Sequence, residues 1–182
     1  REFLNFASSI LDGAEQWCEP RPLLRAGLYW PGINSVDLAT ISNNWRADAQ
    51  VVAIVFYRAH LQSGNLKPIL QLIKALEAEE LSPLPLFISS LKDPLSDKIL
   101  QQIFADAPPQ VILNTTGFSA STPGIAHVSC ALDGCNCPVF QVILSGGSKE
   151  DWHKNTQGLS PRDLAMNVAL PEVDGRIITR AI

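Results

Sequence analysis

Apolar residues at Phe3, Phe6, Ile10, Ala14 and Trp17 recur at helical spacing, which predicts an amphipathic helix over residues 2–17. Glu19-Pro20-Arg21-Pro22 ends it, residues 24–30 read as a short strand, and Pro31-Gly32 stops that strand. Asn34 or Ser35 is placed to cap a second helix reaching about Trp45. From there the pattern is regular. The β-branched run Val51-Val52-Ala53-Ile54-Val55-Phe56-Tyr57 has the unbroken apolar character of a strand buried on both faces of a parallel sheet. Leu66, Ile69, Leu70, Ile73 and Leu76 mark one face of a helix, in which Pro68 falls in the tolerant first turn. Residues 84–89 form the next strand. Asp93-Pro94 then supplies a cap and a first helical position for a helix with Leu95, Ile99, Leu100 and Ile103 inward.

Residues 111–113 and 139–144 are the third and fourth strands of this series. Ser148 with Asp151, and Ser160 with Asp163, have the spacing of capping boxes. The second box opens a short helix carrying Leu164, Ala165 and Val168, which Pro171 is expected to terminate, and Ile177-Ile178 suggests a last strand. Strands alternating with helices at this spacing predict a doubly wound α/β fold: a mostly parallel sheet, helices on both faces, and an added N-terminal helix. The expected division is a helix and linker over residues 1–22 and the α/β domain over 23–182.

The chain has 182 residues, enough for one domain with a substantial core. Its 46% apolar and 18% charged composition excludes intrinsic disorder. Fourteen basic against eighteen acidic side chains give a charge of −4 without a Lys/Arg block, so nucleic acid finds no electrostatic foothold. The longest apolar run, residues 51–57, is too short for a bilayer span, and no membrane association is expected. The acidic residues Glu2, Asp12, Glu15 and Glu19 do not fit a secretion signal, so a cytoplasmic setting is the expectation. Opening on Arg1 and closing on Ile182, the chain reads as a piece of something longer. Cys130, Cys135 and Cys137 form C-x4-C-x-C, which is not a structural zinc spacing; together with Cys18 they are expected to be free thiols.

Ligands of open parallel sheets bind outside the carboxyl ends of the strands. The segments that follow the predicted strands here are polar: Arg58, His60, Gln62 and Ser63; Ser89, Ser90, Lys92 and Asp93; Asn114, Thr115, Thr116, Gly117 and Phe118; Ser145, Gly146, Gly147 and Ser148. Together they predict a binding rim. His60 suits either a metal ligand or base, or a structural bond to a loop carbonyl. Ser145-Gly146-Gly147 before a helix suits either an anion or a tight turn. Glu172 and Asp174, two residues apart, suit a hard cation, acid–base work or a solvated turn. No P-loop, G-x-G-x-x-G or G-x-S-x-G occurs, so neither nucleotide binding nor serine hydrolysis is indicated.

Several stretches, in order, resemble the large subunits of the ATP-dependent cobalt and magnesium chelatases. They are Gly27-Leu-Tyr-Trp-Pro-Gly32, Tyr57-Arg-Ala-His-Leu-Gln-Ser-Gly-Asn65 and Pro85-Leu-Phe-Ile-Ser-Ser-Leu-Lys-Asp-Pro94. Leu113-Asn-Thr-Thr-Gly-Phe-Ser119 and Pro138-Val-Phe-Gln-Val-Ile-Leu144 continue the series. The most specific are Gly158-Leu-Ser-Pro-Arg-Asp-Leu-Ala-Met-Asn-Val-Ala-Leu-Pro-Glu-Val-Asp-Gly175 and Arg176-Ile-Ile-Thr-Arg180. Residues 129–137, with their three cysteines, depart from the family pattern. The resemblance implies a tetrapyrrole-binding subunit that inserts Co2+ into hydrogenobyrinic acid a,c-diamide in cobalamin biosynthesis. ATP and Mg2+ would be handled by an AAA+ ATPase subunit working with an integrin-like subunit. The magnesium branch would act on protoporphyrin IX instead, and a third reading is a docking module without catalysis.

With that resemblance the expected catalytic residues are His60 and Glu172, and the expected metal ligands are His60, Glu172 and Asp174. Substrate binding is expected of Arg58, Lys92, Asn114, Thr115, Phe118, Ser145 and Gly146, with Lys149 a further basic candidate. Activity is not expected of these 182 residues alone.

Overall fold

The computed structural model describes residues 2–12, 24–120, 129–154, 156 and 158–176. Strand β2 (Val51–Tyr57) is its centre, and the residues from Val52 to Phe56 are all buried. Successive side chains on a strand point to opposite faces. Ala53 and Val55 therefore enter one core while Ile54 and Phe56 enter the other. Helix α4 (Lys67–Ala78) closes the second face with Ile69 and Ile73, and helix α5 (Pro94–Asp106) closes the first with Leu100 and Phe104. Both start with proline in the first turn, where its missing N–H costs no helical bond.

Strands β1 (Ala26–Leu28), β3 (Ser82–Ile88), β4 (Val111–Asn114) and β5 (Val139–Gln141) complete one five-stranded sheet of order β1-β3-β2-β4-β5. Only β1 runs antiparallel to its neighbour. After β2 the chain moves outward to β3, then returns across β2 to β4. The strand order thus reverses between β2 and β4, where the doubly wound fold leaves a crevice at the strand ends.

Four local expectations are corrected. Helix α2 (Leu38–Ser42) is capped by Asp37, whose carboxylate accepts from Thr40 N at 2.7 Å, rather than by Asn34 or Ser35. It also stops short of Trp45, whose indole donates to Pro83 O at 3.0 Å. Strand β3 starts at Ser82 and contains Pro83 and Pro85. Ser82 N donates to Gln50 O on the β2 side, so the two prolines, one residue out of phase, face the other edge. There β1 pairs with residues 86–88 and Pro85 takes part only through its carbonyl, which accepts from Tyr29 N at 2.9 Å, so the prolines lie at the end of the ladder.

The third correction concerns Pro171, which does not end its helix. Helix α7 (Pro161–Leu164) passes through a π-helical segment (Ala165–Ala169) into α8 (Leu170–Val173). Leu170 N bonds Ala165 O, five residues back, and this wider turn carries the chain through a proline that offers no N–H. Strand β5 ends at Gln141 rather than residue 144 because its partner β4 ends at Asn114, whose carbonyl takes the last bond, from Val142 N at 2.9 Å. Helix α1 (Glu2–Asp12) bears out the N-terminal helix as far as residue 12. Residues 13–17 of that helix, Cys18 and Ile177-Ile178 lie outside the described residues. Two short helices, α3 (Ala59–Ser63) and α6 (Lys149–Lys154), complete the elements used below.

Asp93 caps α5 and ties it to the sheet. Its carboxylate accepts from Ser96 Oγ at 2.7 Å, Ser89 Oγ at 2.8 Å and Arg25 Nη1 at 3.0 Å. Hydrogen bonds led by that from Ser96 hold its pKa at about 2. A depressed carboxylate pKa stabilises the fold above the ordinary value of 3.8, and that contribution is lost as pH falls towards 2. Asp93→Ala is expected to lower stability at neutral pH by about 1 kcal/mol in urea unfolding, the usual scale of a lost cap. It should also flatten the loss of stability between pH 4 and pH 2; an unchanged acid limb would show that Asp93 carries none of it.

Candidate functional site

A cleft of about 390 Å³ opens at the β2/β4 reversal, lined by Tyr57, Ser89, Ser90, Lys92, Phe118 and Asp174. Tyr57 ends β2, Ser89 to Lys92 follow β3, and Phe118 follows β4. The loop after β4 is built by its own polar side chains. Asn114 Oδ1 accepts from Thr116 N at 3.0 Å and Thr116 Oγ1 at 2.7 Å, a side-chain turn that bends the chain out of the strand. Thr115 donates from both N and Oγ1 to Val55 O. Phe118 N donates to Tyr57 Oη at 3.1 Å, and the two rings sit 6.5 Å apart with a 54° tilt.

The turn after α8 meets this loop from the other side. Asp174 accepts from Ser119 N at 2.9 Å and pairs with Lys92 Nζ at 2.7 Å. Arg176 Nη1 donates to Thr116 O at 2.7 Å and Gly117 O at 2.9 Å, and Nη2 donates to Gln141 Oε1. Lys92, then the Ser119 amide, hold the Asp174 carboxyl below its ordinary range. Burial pushes the Tyr57 phenol up against the opposing Phe118 bond, so at neutral pH it is an uncharged hydrogen-bonding group. The cleft therefore has an aromatic wall, two serines and one ion pair.

Lys92 and Phe118 of the expected binders line this cleft. Asn114 and Thr115 do not; they are buried, and their side chains are spent on the loop. Ser145 and Gly146 are likewise committed, donating to Asp163 at 3.0 and 2.9 Å. A Cβ on Gly146 would come within 3.3 Å of Asp163 Oδ1, so glycine serves this close approach. Arg58 lies at the end of β2, with its backbone N donating to Ile88 O at 2.7 Å. Lys149 begins α6 and is exposed.

His60 is half-buried in α3, with Nδ1 3.1 Å from Asn65 O and its ring edge-on to Phe56 at 6.3 Å. A carbonyl can only accept, so in the neutral ring Nδ1 carries the proton and the lone pair lies on Nε2. Glu172 is exposed on α8, and Asp174 is occupied by Lys92 and Ser119. His60, Glu172 and Asp174 are not assembled into one set: among the described residues no three His, Cys, Asp or Glu side chains are grouped to hold a metal ion. Cys130, Cys135 and Cys137 are free thiols, and burial raises all three, Cys135 to about 11.

Asp163 and Arg176 were not among the expected site residues. By spacing alone Asp163 is half of a capping box. Its amide does accept that role, donating to Ser160 Oγ at 3.1 Å, but its buried carboxylate reaches across to Ser145 and Gly146. The partner lies seventeen or eighteen residues away, beyond any local pattern. Arg176 followed a turn and showed no signal beyond its place in a motif.

An open α/β sheet with a cleft at its reversal point is a small-ligand binding architecture. The whole chain, residues 1–182, matches the model of the CobN/magnesium chelatase family, and it belongs to that family. It is 45% identical over 192 residues to the aerobic cobaltochelatase subunit CobN of a Sinorhizobium species, covering 99% of this chain and 15% of that protein. It is 39% identical over 176 residues to CobN of Pseudomonas aeruginosa, covering 97% and 14%. The chain thus spans about one seventh of the length of these relatives. The catalytic subunit of cobaltochelatase from Mycobacterium tuberculosis superposes with a TM-score of 0.66 over 98% of this chain and 15% of that one, at 24% identity, and so shares the fold. No helix among the described residues is long and apolar enough to cross a membrane.

Asp163→Ala removes the acceptor shared by Ser145, Gly146 and Ser160. Leaving partly buried donors unmatched is expected to cost about 1–3 kcal/mol, read as a lower midpoint in urea. The Gly146 amide, first among the groups that lower the Asp163 pKa, should then exchange faster with deuterium. Because that pKa is lowered, the stabilisation it brings fades as pH falls below the carboxylate range, and the variant should lack that loss. Unchanged exchange at Gly146 would refute the clasp.

Proposed function

We propose that this chain is part of the tetrapyrrole-holding large subunit of a cobaltochelatase, which inserts Co2+ into hydrogenobyrinic acid a,c-diamide. ATP hydrolysis, with its Mg2+, would belong to an AAA+ subunit acting with an integrin-like subunit. The observation that carries this reading is the cleft at the strand ends, where an apolar ring wall of Tyr57 and Phe118 faces the Lys92 ammonium. A tetrapyrrole offers flat apolar edges and peripheral carboxylates or carboxamides. The ring wall suits the first, and Lys92 with the Ser90 hydroxyl suits the second. The cobalt branch is preferred over protoporphyrin IX and magnesium because the two relatives at 45% and 39% identity are both cobaltochelatase subunits.

Within this reading the segment holds the periphery of the macrocycle, and Co2+ is a substrate that meets the ring where other ligands converge. His60 is the metal- and proton-handling candidate nearest the strand ends, through Nε2, since Nδ1 is engaged by Asn65 O. Glu172, exposed on α8, is a second carboxylate for proton transfer or metal delivery. A docking role is the alternative favoured by a specific observation: Met166, Leu170 and Val173 of the π-containing helix, and Phe140 on the edge strand, are exposed.

The complete subunit assembled with its partners gives the test. Lys92→Gln is expected to raise KM for hydrogenobyrinic acid a,c-diamide about threefold, because a ligand that engages Lys92 replaces its bond to Asp174 and gains only the difference. His60→Ala is expected to slow cobalt insertion while leaving tetrapyrrole affinity intact. If both variants bind and insert like the parent, the cleft is not the tetrapyrrole site. Retention of the ATPase partner by this segment would then favour docking.

A further inference from the structure

The loop that carries Phe118 into the cleft makes little use of the strand it leaves. Beyond Asn114 its outward contacts reach β2, Gln141 of β5 and the turn after α8. Tyr57 Oη of β2 accepts from Phe118 N, and the turn after α8 supplies Asp174 and Arg176. Arg176 spans two carbonyls of the loop and the Gln141 amide of β5, so one guanidinium joins the turn, the loop and the sheet edge. Asp174 holds Ser119 N with one oxygen and Lys92 Nζ with the other. The Gln141 amide also donates to Thr116 O at 2.9 Å, so that carbonyl is gripped twice. Gly175 between the two holding residues has φ 94°, a left-handed conformation that turns both side chains onto the same loop, and Arg176 N closes the turn on Pro171 O at 2.9 Å.

We infer that Asp174 and Arg176 are the positioning residues of the cleft: they clamp residues 116–119, fix Phe118 against Tyr57, and so set the space available to the ligand. Asp174 thereby acts through Lys92 and the loop rather than as a metal ligand. A planar guanidinium is needed because its donors must meet carbonyls and an amide oxygen lying in different directions from one point. This inference rests on the cleft being the tetrapyrrole site, but the clamp itself is a property of the chain alone.

Two measurements on the complete subunit separate the clamp from the reading it rests on. Hydrogen–deuterium exchange is followed at residues 116–119 in the parent, Arg176→Gln, Arg176→Lys, Asp174→Asn and, as a control, Arg46→Gln. Arg46 pairs with Glu80 at the opposite end of the sheet, where both side chains are well exposed. Arg176→Gln is expected to speed exchange of the Phe118 and Ser119 amides at least about tenfold while amides of β2 and β3 keep their protection. Asp174→Asn should act chiefly on Ser119, Arg176→Lys should recover part of the protection, and Arg46→Gln should change nothing.

Steady-state insertion with hydrogenobyrinic acid a,c-diamide then reads the cleft. A misplaced loop is expected to raise KM about tenfold with kcat per folded subunit within about twofold, since the change lies in ligand fit. A merely destabilised protein would lose kcat in proportion to its folded fraction, with KM constant. Unchanged exchange at 116–119 overturns the clamp. Faster exchange with unchanged KM, in a parent that binds the tetrapyrrole, overturns its role in the site. If the parent binds neither hydrogenobyrinic acid a,c-diamide nor protoporphyrin IX, the proposed function fails, and exchange alone decides the clamp.

Discussion

Burial of β2 on both faces is the constraint from which the site follows. No side chain from Val52 to Phe56 can reach water, so each must be met by a helix on one side of the sheet or the other. Short crossovers of one hand place α4 and α5 on opposite faces only if β3 and β4 flank β2 on opposite sides. That arrangement opens a crevice between the carboxyl ends of β2 and β4. Tyr57 is where the carboxyl end of the strand leaves full burial, and it does so in that crevice, with a phenol oxygen that accepts from the loop opposite.

The crevice becomes a shaped cleft because a distant segment returns to it. Residues 161–173 form a helix with one wide turn, and Pro171 within it packs near Gly117: a Cβ there would lie 3.7 Å from Pro171 Cγ. The π-helical segment shifts the phase of the following turn relative to an ordinary α-helix. Glu172 emerges exposed while Asp174 and Arg176 turn onto the loop after β4. Carboxylates two residues apart thus have different tasks, and their spacing in the chain does not make them a pair.

What was legible in the sequence divides along the same line. The run 51–57, the apolar face of α4 and the Asp93-Pro94 start of α5 are local signals, and each matches the structure because neighbouring residues decide it. The strand-end rule brought Lys92 and Phe118 to the cleft for the same reason. Failures came where the decision was made far away. The length of β4 ended β5, the short β1 admitted two prolines to β3, and a π-helical turn carried Pro171 through a helix. Polar loop residues were the other blind spot. Asn114, Thr115, Ser145 and Gly146 looked like ligand groups, yet a bent backbone must satisfy its own donors and acceptors first. Asp163 and Arg176, which provide that satisfaction across 17 and 60 residues, are ordinary charged residues by any local criterion.

If the cleft holds the tetrapyrrole as proposed, the pairing of its cation decides what it can select. The chain carries −4 overall, and Lys92, the cation lining the cleft, is already neutralised by Asp174 at 2.7 Å. No broad field draws in an anionic ligand, so a carboxylate that engages Lys92 does so by taking the place of an existing partner. Such an exchange keeps the number of ion pairs constant and gains little from charge alone. The discriminating term must then be fit: the apolar edge of the ligand against the tilted rings of Tyr57 and Phe118, whose separation is fixed by the Phe118 N–H on the phenol. A carboxylate without a flat apolar body obtains only the exchange, and a flat body without a polar edge leaves Lys92 as it was. Under the proposed function, selectivity for a molecule with both would follow from pairing the cation in advance, not from leaving it exposed.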